Sequence, residues 1–153
     1  MVGKSCFFIG HREVSHDISE ALRSAVETHI AECGVTEFVV GHYGAFDRMA
    51  ASAVVAAKKK YPNITLLLLL PYHPSQQAVT LPKGFDTTYY PLGMENVPRR
   101  LAILRANQYM VDRADFLIAY VWHAASNARD LLEFAQRRAS RGKLNVLNIA
   151  PLP

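Results

Sequence analysis

The stretch Glu37–Ala57, EFVVGHYGAFDRMAASAVVAA, decides the fold. It opens on a short apolar run (Phe38, Val39, Val40) and turns through a loop holding Gly41 and Gly44. An alanine-rich segment with helical character follows. Strand, glycine loop and helix together form the unit of parallel α/β sheets. Glycine lets backbone approach backbone or ligand where a Cβ would clash. The helix N-terminus just beyond offers unpaired N–H groups and a positive dipole end, which suits an anion. His42, Tyr43 and Asp47 crowd the same loop, and two other junctions look alike: Ile9-Gly10-His11-Arg12 and Ala125-Ser126-Asn127.

Working outward, Ser5–Ile9 reads as a buried strand ended by Gly10. Asp17 or Ser19 suits the cap of a helix whose Ile18, Leu22, Ala25, Val26, His29 and Ile30 recur at helical spacing, with Gly34 as its stop. Glu37–Gly41 is the second strand and Ala45–Tyr61 the second helix, broken by Pro62-Asn63. Ile64–Leu70, ITLLLLL, shows no alternation, so both faces of this third strand are covered. Pro71–Gly84 is irregular, and Asp86–Tyr90 fits a brief edge strand. A helix over Arg99–Arg113 has Pro98 at its first turn and Leu101, Leu104, Gln108 and Val111 on one face. Asp115–Val121 is the fourth strand, Ser126-Asn127 caps a helix to Arg141, and Leu144–Ile149 is the fifth strand. The expectation is one domain over residues 1–153: a Rossmann-like three-layer α/β sandwich with a five-stranded, mainly parallel sheet of order 3-2-1-4-5. Ligands in such sheets bind beyond the carboxyl ends of the strands at the switch point, here between the first and fourth strands.

Composition narrows the function classes. Half of the 153 residues are hydrophobic and a fifth are charged, an ordinary globular mix, and the net charge of +4 permits a nucleic-acid partner without demanding one. The longest apolar run, Ile64–Leu70, is far short of the about 20 residues that cross a bilayer, so no membrane partner is expected. Cys6 and Cys33 have no ligand-like spacing and read as reduced thiols, and a cytoplasmic location follows. No metal cluster, paired carboxylates or Ser/His/Asp set is spaced for chemistry, and no cofactor is expected.

Three loops carry the candidate site. At Gly10-His11-Arg12, Arg12 can fork onto a phosphate or carboxylate, with His11 beside it as hydrogen-bond partner or acid/base group. In Gly41–Asp47, Asp47 can accept from ribose hydroxyls or answer the helix dipole. Tyr43 and Phe46 can stack on a base or pack the loop. Ser126-Asn127 is an N-cap, with Asp130 three residues beyond Asn127. No GxGxxG fingerprint occurs, which argues against classical dinucleotide binding. His29 reads as structural.

Taken together, Phe8–Arg12, Gly41–Asp47 with Ala50-Ala51, Leu70-Pro71-Tyr72, and Asn107–Asp112 followed by Asp115 resemble the YpsA-like branch of the SLOG superfamily. These are Rossmann-like relatives of the LOG phosphoribohydrolases, the so-called lysine decarboxylase family, and of DprA. The resemblance implies a cytosolic domain binding a nucleotide-derived ligand, such as a nucleoside monophosphate, NAD or an ADP-ribose fragment. Gly10, His11, Arg12, Gly41, His42, Gly44, Asp47, Asn107, Ser126 and Asn127 would serve as ligand-binding residues. The chain departs from the enzymes of the group in two places. Their PGGxGTxxE loop is matched loosely by Ala125–Asp130 without the glycines, and an arginine gives way to Ala106 beside Arg105. Ligand binding, in a sensing or regulatory role, is therefore the first reading. A nucleotide N-glycosidase using Asp130 or Glu133 with Arg105 is the second, and a protein- or DNA-interaction module drawing on the Arg99–Arg113 helix is the third. The apolar Phe116–Trp122 region and the resemblance suggest a homodimer.

Overall fold

The computed structural model describes residues 3–14, 17–122 and 127–150. Its elements run β1 (Lys4–Gly10), α1 (Ser19–Ala31), β2 (Val35–Val40), α2 (Ala45–Lys60), β3 (Thr65–Leu69), β4 (Thr87–Tyr89), α3 (Ala102–Arg113), β5 (Phe116–Tyr120), α4 (Asn127–Ser140) and β6 (Asn145–Asn148). The sheet has six strands in the order β4-β3-β2-β1-β5-β6, every neighbouring pair parallel. The expected five-stranded sheet of order 3-2-1-4-5 is corrected here. The brief Thr87–Tyr89 segment pairs with β3 and forms the outer edge. It is held there by Asp86, whose carboxylate accepts the Leu66 N–H at 2.8 Å and the Lys58 ammonium at 2.6 Å. Short, polar edge strands carry little hydrophobic signal because only one side of them is covered.

Strand residues alternate strictly between two cores. Cys6 and Phe8, Phe38 and Val40, Leu66, and Phe116, Ile118 and Tyr120 pack under α1 and α2. Phe7 and Ile9, Val39, Leu69, and Leu117, Ala119 and Val121 pack under α3 and α4. A parallel strand buried on both faces needs apolar residues at every position, which is what the ITLLLLL and DFLIAYV runs supply. His29 is buried in the first core, Nδ1 lying 2.6 Å from the Ala25 carbonyl oxygen and the ring edge-on to Phe116. Its structural reading is correct.

Two expectations about surfaces fail. The face of α3 turned to the sheet is Ala102, Ala106, Met110 and Val111, whereas Leu104 is 40% exposed. Small alanines let the helix axis approach the sheet closely, and the leucines of the neighbouring stripe are left to the cleft described below. The segment proper begins as a tight Arg99–Leu101 turn after Pro98 before becoming α-helical. The Phe116–Tyr120 stretch suggested as a dimer face is the fully buried strand β5, so it offers no surface to a second copy, and only Trp122 beyond it emerges. Among the described residues no helix is long and apolar enough to cross a membrane.

Candidate functional site

The carboxyl ends of β1, β2, β3 and β5 open into a cleft of about 810 Å³, roofed by α3 and the start of α4. That volume is typical of small-molecule sites. It lies beside β1, where the connections turn from one side of the sheet to the other.

The end of β1 is fixed by packing. A Cβ on Gly10 would lie 2.4 Å from the Phe46 ring, and Phe46 itself is a core residue stacked on Tyr120. Phe46 is therefore not free to stack on a base. His11 is nearly buried, its N–H reaching the Tyr120 carbonyl at 3.3 Å and its Nε2 accepting the Trp122 N–H at 3.0 Å. Acceptance at Nε2 by a neutral ring puts the proton on Nδ1. His11 thus ties the end of β1 to the end of β5 and sets where Trp122, 48% exposed, stands at the cleft mouth. Arg12 follows, exposed, with no hydrogen bond or ion pair from its side chain to any described residue. Its carbonyl takes the Ala45 N–H at 2.7 Å, which anchors the second loop against the first.

In that second loop Gly44 has φ +147°, and a Cβ there would sit 2.7 Å from the Arg12 Cα. Gly41 leaves room for Asp47, whose Oδ2 would be 2.9 Å from any Cβ at position 41. That oxygen accepts the Tyr43 N–H at 3.1 Å. Burial pushes the Asp47 carboxyl up to about 6, and the Tyr43 N–H and the charges of Arg12 and Arg48 only partly oppose it. Tyr43 stacks on His42 at 4.3 Å. Its hydroxyl and His42 Nδ1 are buried with no partner among the described residues. Burial raises the Tyr43 hydroxyl, Tyr72 adds to that, and Arg99 and Arg12 oppose it; burial lowers His42.

Of the residues singled out in sequence, Gly10, His11, Arg12, Gly41, Asp47, Asn107 and Asn127 wall the cleft. His42 and Gly44 shape the loop from behind rather than lining it, and Ser126 lies outside the described residues. Arg105, Asp130 and Glu133 are exposed and are not among the cleft walls. Glu133 instead pairs with Arg129 at 3.5 Å along α4. The basic residue that α3's entry turn brings to the cleft is Arg100, and like Arg12 it has no partner among the described residues. Nothing local distinguishes Arg100 from Arg99 or Arg105 in sequence. Arg99 is occupied, lying over the Tyr72 ring at 4.4 Å and donating to Gln77 at 3.1 Å. Tyr43, Trp122, Leu104 and the acidic Glu13 are also among the walls. Among the described residues no three His, Cys, Asp or Glu side chains are grouped to hold a metal ion. Two uncommitted guanidiniums, an exposed indole and a polar floor suit an anion with a flat, partly apolar body.

The fold is an α/β domain with an open cleft at the carboxyl edge of its parallel sheet. No protein-family model matches the chain, and no curated protein matches it. Among solved structures it is similar to DNA processing protein A from Helicobacter pylori, described for its single-stranded DNA binding mode. The two are 16% identical with a TM-score of 0.60, over 94% of this chain and 65% of that one. The likeness is one of fold, and the chain spans about 65% of the length of that structure.

Proposed function

We propose that the chain binds single-stranded nucleic acid, seating a nucleotide unit in the carboxyl-edge cleft and holding its phosphates with Arg12 and Arg100. The observation that carries this reading is the convergence, beside an exposed tryptophan, of two arginines from distant parts of the chain that have no partner among the described residues. Arginine–phosphate bonds and base–aromatic stacking are the two components of single-strand recognition. The charge distribution agrees: residues 99–143 carry nine of the 17 lysines and arginines but four of the 13 acids. The single-stranded DNA named for the fold neighbour supports the same partner. A SLOG-type ancestry, its YpsA-like branch and a cytoplasmic location belong to this proposal as its finer parts.

Fluorescence anisotropy of a 5′-labelled r(GU)10 strand tests it. Arg12→Ala and Arg100→Ala should each weaken binding more than tenfold. Each should also flatten the slope of log affinity against log salt by about 0.7 for every phosphate no longer held. Arg105→Ala, outside the cleft, should change the affinity less than threefold. Equal weakening in all three variants, or no binding of r(GU)10 by the unaltered chain, would refute the reading.

A free nucleotide-derived ligand is the second reading, favoured by the Asp47 carboxylate on the cleft wall, whose Oδ1 has no donor among the described residues. A nucleoside monophosphate, NAD or ADP-ribose at 100 times its Kd would stabilise the chain by about 2.7 kcal/mol, which a thermal melt detects. The N-glycosidase reading loses its candidate carboxylates, since neither Asp130 nor Glu133 walls the cleft.

A further inference from the structure

We propose that Asp47 is the specificity-determining group of the cleft and selects a nucleotide unit presenting two adjacent hydrogen-bond donors. Those donors are the N1–H and N2–H of guanine or the cis-diol of a ribose. The inference rests on the reading of the cleft as a nucleotide site.

The cleft has the wrong composition for an anion alone. Arg12 and Arg100 invite negative charge, yet Asp47 is set into the floor between β2 and α2 and would repel it. A half-buried carboxylate normally finds a cation or several donors. Asp47 has one donor, the Tyr43 N–H on Oδ2, while Oδ1 has none among the described residues. It makes no ion pair with a described residue, since Arg12 and Arg48 act on it only through their fields. Its place is nevertheless closely specified, because residue 41 must lack a Cβ for the carboxylate to lie where it does. The raised carboxyl pKa is the signature of that unmet demand.

A ligand that satisfies this floor brings its phosphate to the arginines and a donor edge to Asp47. A carboxylate matches two parallel donors best. Among the bases of DNA only guanine has two adjacent donors on one edge. Adenine and cytosine offer an amino group flanked by an acceptor, and thymine a single N–H between carbonyls. In a ribonucleotide the 2′- and 3′-hydroxyls present an equivalent pair. A site built around such a bond rejects the analogue lacking it strongly, because the buried acceptor is then left dry and unpaired.

Isothermal titration calorimetry of the unaltered chain with dGMP, dIMP, UMP and dUMP tests this directly. Hypoxanthine is guanine without the N2 amine, and dUMP is UMP without the 2′-hydroxyl. The expected result is a preference of more than tenfold within one pair: dGMP over dIMP if the base edge is read, UMP over dUMP if the sugar is. Asp47→Asn should reduce that preference to less than threefold. Equal affinities within threefold in both pairs, or no binding of any of the four, overturns the inference, and this comparison needs no variant. Strand binding is read separately. Arginine-dependent r(GU)10 binding with flat nucleotide pairs defeats this inference alone, whereas discriminating pairs without r(GU)10 binding defeat the strand reading and leave Asp47's role in place.

Discussion

Alanine in place of Gly44 is expected to destabilise the chain by about 3 kcal/mol or more. Two costs combine. The backbone at φ +147° is one that L side chains rarely adopt, and the new Cβ would fall 2.7 Å from the Arg12 Cα, a backbone atom that cannot rotate away. Relieving the clash means separating the two loops, which stretches the 2.7 Å bond from the Ala45 N–H to the Arg12 carbonyl. Gly93→Ala is the internal control: φ is +88° but nothing lies within 4 Å, so only conformational strain is added. For a chain of this size Gly44→Ala should lower the Tm by roughly 10 °C, and Gly93→Ala by a few degrees. Equal shifts would show that the close approach of the two loops contributes nothing.

The second large effect has the opposite sign. Asp47→Asn is expected to make the free protein more stable at pH 8. Burial raises the folded-state carboxyl to about 6, above its ordinary 3.8. The folded state therefore holds this proton more tightly than the unfolded chain does. Stability from this group is full below about pH 4 and falls as pH rises to about 6, after which the cost is constant. Two pH units correspond to about 3 kcal/mol at most, and screening by the open cleft reduces that to about 1–2 kcal/mol. Asparagine keeps an acceptor for the Tyr43 N–H and removes the charge. The variant should melt about 3–6 °C higher at pH 8 and within about a degree of the unaltered chain at pH 4. A variant that melts lower at pH 8 would mean that the fold stabilises the carboxylate, and Asp47 would then have no need of a ligand. A residue whose neutralisation stabilises the chain while removing ligand discrimination is held for function rather than for folding.

Much of the architecture was legible because buried parallel strands and glycine-ended helices leave strong local marks. Ile64–Leu70 and Asp115–Val121 could be placed within a residue or two because apolar residues at every position have few other uses. The orientation of α3 was not legible. Leu101 and Leu104 on one stripe and Ala102, Ala106 and Met110 on the next are both apolar, and only the distance between helix and sheet decides which faces inward. Strand β4 escaped the expected sheet for a related reason, since its Thr87-Thr88-Tyr89 is held by Asp86 and Lys58 rather than by a hydrophobic pattern.

The site was legible as loops and not as a surface. Gly10, Gly41 and Gly44 marked the right junctions, but each has a steric reason of its own: Phe46, Asp47 and Arg12 occupy the space a side chain would need. His11 reads as chemistry in sequence and serves as a latch onto Trp122 in the structure. Arg100 and Trp122 carried no signal, because their value comes from standing beside Arg12, nearly 90 and 110 residues away along the chain.

The central claim is that this cleft takes a nucleotide unit of a single strand, and the most direct measurement is a ¹⁵N-resolved NMR titration with the oligonucleotide r(GU)3. The account predicts progressive shifts in the amides of Arg12, Tyr43, Asp47 and Asn107 and in the Trp122 indole N–H, with residues at the other end of the sheet such as Lys60 and Lys143 unmoved. Shifts confined to the Arg137–Lys143 end of α4, or a spectrum unchanged at millimolar r(GU)3, would contradict it.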